Sequence, residues 1–416
     1  MRRGRRTRAV LCAALVTVLG APAWASAPAR VDAARHRAVQ SGPLHVIGQL
    51  PEPAAGSKRL YAGRIAQVDA PKRRMYYVYT DPNSMDHVIT YDLRHRIPQP
   101  IAEGPLASNL KVPEATPNIV ALDTLRHQLL FIGLNPTVGG QEAQTLTPIL
   151  VRYDTTHNKA LPEWNLETTL PGYSPAGLTY SRADDLVYMV GDFSAATAVE
   201  STNGQPGSPM TSVVAISPAT GKVVWIRPIP ECQQVLNSAG VGGLVVRSSF
   251  RPALYFGCIT GGTYAGNPYP GEAGLARLDL DPKARSTAAA ARFPLDFFPI
   301  SGQYFNGSAQ GVASFDHHTD RYFLQSLSQT TPGAWVFDGR LSGWVGFVSA
   351  PSWSDKYAGL NEGLGHLYIG LFQGGLPAKT DGLVVADVRQ TPVPAGSFEP
   401  MVTSTFIPTD NGSRRL

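Results

Sequence analysis

Three features of the amino-acid sequence predict an all-β fold, a β-propeller of four-stranded antiparallel blades. A short apolar strand ending in Asp, or a near equivalent, recurs six times along the chain. A β-branched and aromatic strand lies upstream of each copy. Charged residues make up only 16% of the chain, against 41 Gly and 35 Pro, a composition suited to short strands joined by many turns.

The recurring strand reads Val88–Asp92, Leu150–Asp154, Val213–Ser217, Leu275–Asp279, Ala334–Asp338 and Leu383–Asp387. Its closing positions are 62, 63, 62, 59 and 49 residues apart. A turn follows each, and the Asp carboxylate can accept backbone N–H groups two residues on and close it. The upstream strand reads Tyr76–Tyr79, Leu129–Gly133, Leu186–Gly191, Leu254–Gly257, Tyr322–Gln325 and Leu367–Gly370. A third strand comes before that, at Gly63–Asp69, Asn118–Asp123, Gly177–Ser181, Gly243–Arg247, Gly311–Asp316 and Gly359–Asn361. Five of these six begin at Gly, which fits an innermost strand crowded at an axis. A weaker fourth strand ends each unit, as in Lys222–Pro228 and Gly343–Ser349. Each unit is therefore four strands, a to d, running outward from an axis.

Direct counting predicts six blades. The strand-like Leu44–Gly48 and Val402–Ile407 flank the repeats, and either close one shared blade or imply a seventh. The expected layout is a signal peptide over 1–27, an N-terminal segment over 28–55 that contributes a ring-closing strand, a propeller over 56–408 and a tail over 409–416.

The signal peptide is read from Arg2, Arg3, Arg5, Arg6 and Arg8, an apolar run from Ala9 to Leu19, and the small-residue pattern Ala23-Trp24-Ala25-Ser26-Ala27. Both general and twin-arginine export fit this order. No run approaches the roughly 20 apolar residues of a membrane helix. The expected location is therefore secreted and extracellular, with no integral membrane segment after cleavage. The five arginines account for the whole formal charge of +5. A mature chain near neutrality gives no support for nucleic-acid binding. Cys232 and Cys258 remain after cleavage and are expected to pair in an oxidising compartment. Both fall at the same end of neighbouring blades, and closing a loop of this length contributes about 3 kcal/mol in the chain-entropy picture.

Blade three carries Ala215-Ile-Ser-Pro-Ala-Thr-Gly-Lys-Val-Val-Trp225. This stretch resembles the repeat of the secreted quinoprotein-like and YVTN-like propellers, in which the Trp packs between blades; here Ser217 replaces the repeat's Asp. The resemblance implies a fold. It does not imply a quinone cofactor, because the adjacent-cysteine pair that packs on that cofactor is absent. Glu103-Gly104-Pro105 resembles the start of the metal-binding segment in senescence-marker-type lactonase propellers, although an inner strand does not follow directly here.

In a propeller the a–b and c–d turns share one end, and the b–c and d–a connections share the other. Long b–c loops over 135–147, 192–210 and 259–272 place a one-sided lid over blades two to four at the loop end. His95, His127, His157, His317, His318 and His366 sort to the turn end and are read as solvated turn residues. Nucleophile-elbow, zinc-protease and phosphate-loop spacings are absent. The loop-end candidates for catalysis are Glu103, Glu114, Tyr173, Tyr304 and Asp355. Those for ligand binding are Tyr61, Asn118, Asn237, Asn306 and Tyr357, with Asp81, Asp192 and Glu272 from b–c loops. No residue is assigned as a metal ligand, and a divalent metal is the one cofactor left open. The expected function is binding of a small molecule, glycan or extracellular protein on the lidded loop face. The alternative is a hydrolase, lactonase, lyase or cyclase-like enzyme using axial carboxylates, Tyr or that metal.

Overall fold

The computed structural model describes residues 64–408 apart from 107–118, 136–144, 195–209, 236–244, 300–309, 327–332, 372–381, 388–404 and shorter breaks. The first sheet is β1 (Arg64–Asp69), β2 (Arg74–Thr80), β3 (Asp86–Asp92) and β4 (Gln99–Pro105), hydrogen-bonded in that order. The second is β5 (Val120–Asp123), β6 (Gln128–Asn135), β7 (Thr145–Asp154) and β8 (Lys159–Asn165). The third is β9 (Tyr173–Ser181), β10 (Leu186–Phe193), β11 (Met210–Ile216) and β12 (Val223–Ile229).

The next sheet has five strands. Here β15 (Ala253–Ile259) pairs with β18 (Ala273–Asp279), which pairs with β19 (Leu295–Pro299). On its other edge β15 pairs with two pieces, β13 (Gln234–Val235) and β14 (Val245–Ser248). A separate hairpin, β16 (Gly262–Tyr264) and β17 (Asn267–Tyr269), lies in its b–c loop. Two further four-stranded sheets follow. One is β20 (Gln310–Asp316), β21 (Arg321–Ser326), β22 (Gly333–Asp338) and β23 (Trp344–Ser349). The other is β24 (Ser354–Asn361), β25 (His366–Leu371), β26 (Gly382–Asp387) and β27 (Thr405–Pro408).

Every pairing is antiparallel, and the innermost strands touch in chain order: β1 with β5, β5 with β9, β9 with β14, β14 with β20, β20 with β24. That is the propeller arrangement. The expectation of six or seven four-stranded blades is corrected, among the described residues, to five four-stranded blades and one five-stranded sheet. The cause is the broken inner strand over 234–248, whose halves each pair with β15. The C-terminal strand β27 completes the last sheet rather than beginning another. Leu44–Gly48 lies outside the described residues.

The strands read as near-continuous apolar runs because both faces of each sheet are covered. Leu254 and Phe256 pack with Tyr188, Val190 and Trp225 of the third sheet. Their neighbours Ala253 and Tyr255 pack the other way, with Phe315, Tyr322 and Trp335. Trp225 lies 2% exposed in this shared layer, edge-on to Phe293, as the quinoprotein-like resemblance implies. A helical turn, Thr287–Ala290, is capped by Ser286 and docks on β12, where Thr287 Oγ1 accepts the Ile226 N–H at 3.2 Å. Outer strands β4, β8, β12, β19 and β27 carry Pro100, Pro162, Pro228, Pro299 and Pro408, which discourage pairing with another chain.

The turn-closing role of Asp holds. Asp92 accepts the Arg94 N–H at 2.9 Å, Asp154 those of Thr156 and His157 at 2.8 and 3.0 Å, and Asp338 that of Arg340 at 2.7 Å. Asp69, Asp123 and Asp316 do the same at the a–b turns. Four of those turns end on a left-handed non-glycine residue: Arg73, His127, Asp185 and Asp320. The preceding sheet reaches that residue with a cation at three of the joints. Lys72 Nζ lies 2.7 Å from His127 Nδ1, Arg126 bonds both carboxylate oxygens of Asp185 at 2.7 Å, and Arg251 bonds both oxygens of Asp320.

Candidate functional site

The site begins with a glycine near the end of strand b. In the third sheet Gly191 faces the point where β9 shifts register: Val190 pairs with Gly177, Gly191 pairs with Pro175, and Ala176 is extra. A Cβ at Gly191 would collide with the carbonyl of Ser174 and lie 2.6 Å from Pro175 Cα. The glycine is there because the bulged inner strand needs the space.

The same defect recurs at the same level. In the five-stranded sheet, Cys258 pairs with Val235 of β13 and Phe256 with Val245 of β14, so the inner strand is interrupted opposite Gly257. In β20, Gly311 and Val312 stand opposite the single residue Gln325. In β24, Asp355, Lys356 and Tyr357 stand opposite Gly370. The first sheet has a smaller shift at Ala66, nearer its turn end. Bulges leave backbone N–H and C=O groups without ladder partners, and they concentrate beside binding sites. Here they concentrate toward the loop end of the inner strands.

This arrangement places the sequence candidates as follows. Asp355 and Tyr357 are extra residues in the β24 bulge. Asn237 lies outside the described residues, as do Tyr61, Glu114, Asn118, Tyr304, Asn306 and Glu272. Tyr173 opens β9 but points inward. It is 2% exposed, and its hydroxyl donates to the Ser212 and Met189 carbonyls at 3.0 and 3.3 Å. Burial pushes this phenol well above its ordinary pKa, with Asp192 adding to the effect. Tyr173 is therefore a brace inside the sheet. Asp192 accepts the Thr211 hydroxyl at 2.7 Å.

Glu103 departs from its expected place. It lies within β4, the outermost strand of its sheet, away from the axial position a d–a connection would supply. Gly104 is required there by packing, since a Cβ would meet the Asn158 carbonyl and come within 2.8 Å of the Tyr153 hydroxyl. Gly104 thus answers to packing within an edge strand.

Glu103 instead joins a group that includes His87, a residue the sequence reading did not single out. Tyr79 donates its hydroxyl to Glu103 and stacks on the His87 ring at 5.1 Å. His87 Nε2 lies 3.1 Å from Asp81 Oδ2, and Nδ1 lies 3.7 Å from Glu103 Oε1. The Met85 N–H holds the Asp81 carboxyl below its usual range against the cost of burial, helped by His87 and the Asn83 N–H. Both imidazole nitrogens face carboxylates, so Tyr79, Asp81, His87 and Glu103 form one polar network. Alternation in the register foreshadows it, because Tyr79 and His87 are direct cross-strand partners. Among the described residues, no group of three or more His, Cys, Asp and Glu is arranged to hold a metal ion.

Cys232 and Cys258 form the expected disulfide, with Cα atoms 5.6 Å apart. It joins the exit of the third sheet to β15 of the next. Of the expected lid, 136–144 and 195–209 lie outside the described residues, and the third loop contains the β16–β17 hairpin. His157 and His127 do lie on the turn end, bonded to Asp154 and Lys72.

No known protein family matches the chain, and no curated protein matches it. Solved structures do. A hypothetical selenium-binding protein from Sulfolobus tokodaii is 7% identical, covering 80% of this chain and 74% of that one, with a TM-score of 0.48. The periplasmic gluconolactonase of Pseudomonas aeruginosa is 9% identical, covering 82% and 86%, with a TM-score of 0.46. A protein of unknown function from Desulfotomaculum acetoxidans is 11% identical, covering 84% and 99%, with a TM-score of 0.45. The class defined by the sheets themselves is a β-propeller of four-stranded antiparallel blades. Likeness at this level adds nothing about activity.

Proposed function

We propose that this chain is a secreted binding protein that takes a small, uncharged, hydroxyl-rich molecule or glycan end at the loop end of its axis. The observation that carries the reading is the alignment of the inner-strand bulges opposite Gly191, Gln325 and Gly370, with the inner strand of the five-stranded sheet interrupted at the same level, opposite Gly257. Bulges at one level offer unpaired backbone donors and acceptors side by side, which is the complement of a hydroxyl group. A mature chain near neutrality supplies no strong field to gather a charged ligand. The disulfide is compatible with export, and no described helix is long and apolar enough to cross a membrane.

Asp355, Tyr357 and Asn237 are the residues proposed to meet the ligand.

A calorimetric titration with a panel of mono- and disaccharides tests the proposal. Asp355→Asn and Tyr357→Phe are each expected to weaken binding by about tenfold, the loss of one or two hydrogen bonds, with an unchanged melting temperature. Binding that is insensitive to both substitutions overturns the assignment. Conversion of the sugar during the titration replaces binding with catalysis as the function.

A further inference from the structure

The five-stranded sheet is the one place among the described residues where an inner strand comes in two pieces. The turn-end piece, β14, makes four residue pairs with β15. The loop-end piece, β13, makes two: Gln234 with Ile259 and Val235 with Cys258. Two pairs are too few to hold a strand in water. What distinguishes β13 is a covalent anchor. Cys232, just before it, is bonded to Cys258, the residue with which Val235 pairs.

Cys232 is itself fixed to the third sheet. Its N–H donates to the Ile229 carbonyl at 3.0 Å, and its carbonyl accepts the Thr211 N–H at 3.3 Å. Both cysteines are buried. The chain therefore enters β13 from a point held on two sheets at once, and residues 236–244 begin directly after it.

We propose that the Cys232–Cys258 bond is a local clamp that holds the loop-end half of the split inner strand, so that this wall of the site exists only in the oxidised protein. Its bearing on ligand binding rests on the proposed axial site; the clamp itself does not. Opening it requires an external dithiol. One thiolate of the dithiol attacks a cysteine sulfur and displaces the other, and the second thiol of the dithiol then resolves the mixed disulfide. The Cys232–Cys258 bond is broken, two cysteine thiols form, and the dithiol leaves as its own disulfide with both electrons accounted for. Without the bond, β13 keeps its two residue pairs with β15 and its packing against β10 and β11 of the third sheet but loses its covalent tie to β15, from which it then parts, while β14, β15 and β18 keep their pairs.

Hydrogen exchange on the full chain tests this. In a Cys232→Ser/Cys258→Ser variant, peptides over 230–236 should exchange about tenfold faster, and those over 186–193 and 273–279 should stay within about twofold of the parent. Unchanged exchange throughout overturns the clamp. Acceleration spread evenly over all sheets also overturns it, because the bond is then a global staple. Should the serine variant fail to fold, the same comparison is made on the parent before and after dithiothreitol, in low urea, with the same two overturning outcomes. Local acceleration at 230–236 with unchanged sugar binding sustains the clamp and rejects the axial site, so the two failures are separable.

Discussion

At the scale of single residues, this protein is shaped by close approaches. Gly191 sits where the backbone of β9 occupies the space of a Cβ. Gly191→Ala is expected to cost about 1–3 kcal/mol, the range for overpacking, and thermal denaturation measures it. The cations at the turn end are a second device. Asp185 is held below the usual carboxylate range chiefly by the Arg126 guanidinium, and Asp92 by Arg94. Because their folded values are depressed, the stability they contribute is present above the unfolded value of about 4 and is lost as pH falls through the folded values. The melting temperature is therefore expected to stay level from about pH 7 to 5 and to decline below about pH 4. Asp185→Asn should flatten part of that decline; an unaltered acid slope would show that the Arg126 contact adds nothing.

At the scale of elements, strand b organises each sheet. Its residues alternate between two neighbours, so Leu254 and Phe256 serve the third sheet while Tyr255 serves the next one. Phe256→Ala is expected to cost about 3–5 kcal/mol in equilibrium unfolding, since the ring is fully buried between sheets and its loss leaves a cavity. The four-strand unit was legible because each strand has its own local chemistry: an apolar run, an Asp that closes a turn, a second run. The strand-b glycines were legible too, but their purpose was not. Gly191 and Gly370 read in one dimension as strand ends; only pairing shows that a bulge of another strand faces them. For the same reason Glu103 looked like part of a connection, when the register extends β4 through it to Pro105. His87 gave no motif because its partners Asp81 and Glu103 meet it only through a turn and a cross-strand neighbour.

At the scale of the whole molecule, each four-stranded sheet is built from consecutive strands. The last sheet takes its outermost strand, β27, from the chain's own C-terminal part. Deleting residues from 405 onward is expected to expose the edge of β26 and to raise hydrogen exchange over 382–387, while the third sheet over 186–229 stays protected. Equal loss of protection in both would mean that the sheets unfold as one unit.

The sequence by itself determined the all-β repeat, the four-strand unit, the Asp-closed turns and the partnership of Cys232 with Cys258. All of these rest on local patterning, on turn chemistry or on the end of a blade at which a residue must emerge. The tertiary structure alone decided that one inner strand is split, that the bulges of the inner strands line up and that Glu103 belongs to an edge. These depend on register between strands far apart in the chain, and a shift of a single residue in register changes what faces what without leaving a mark on composition or period.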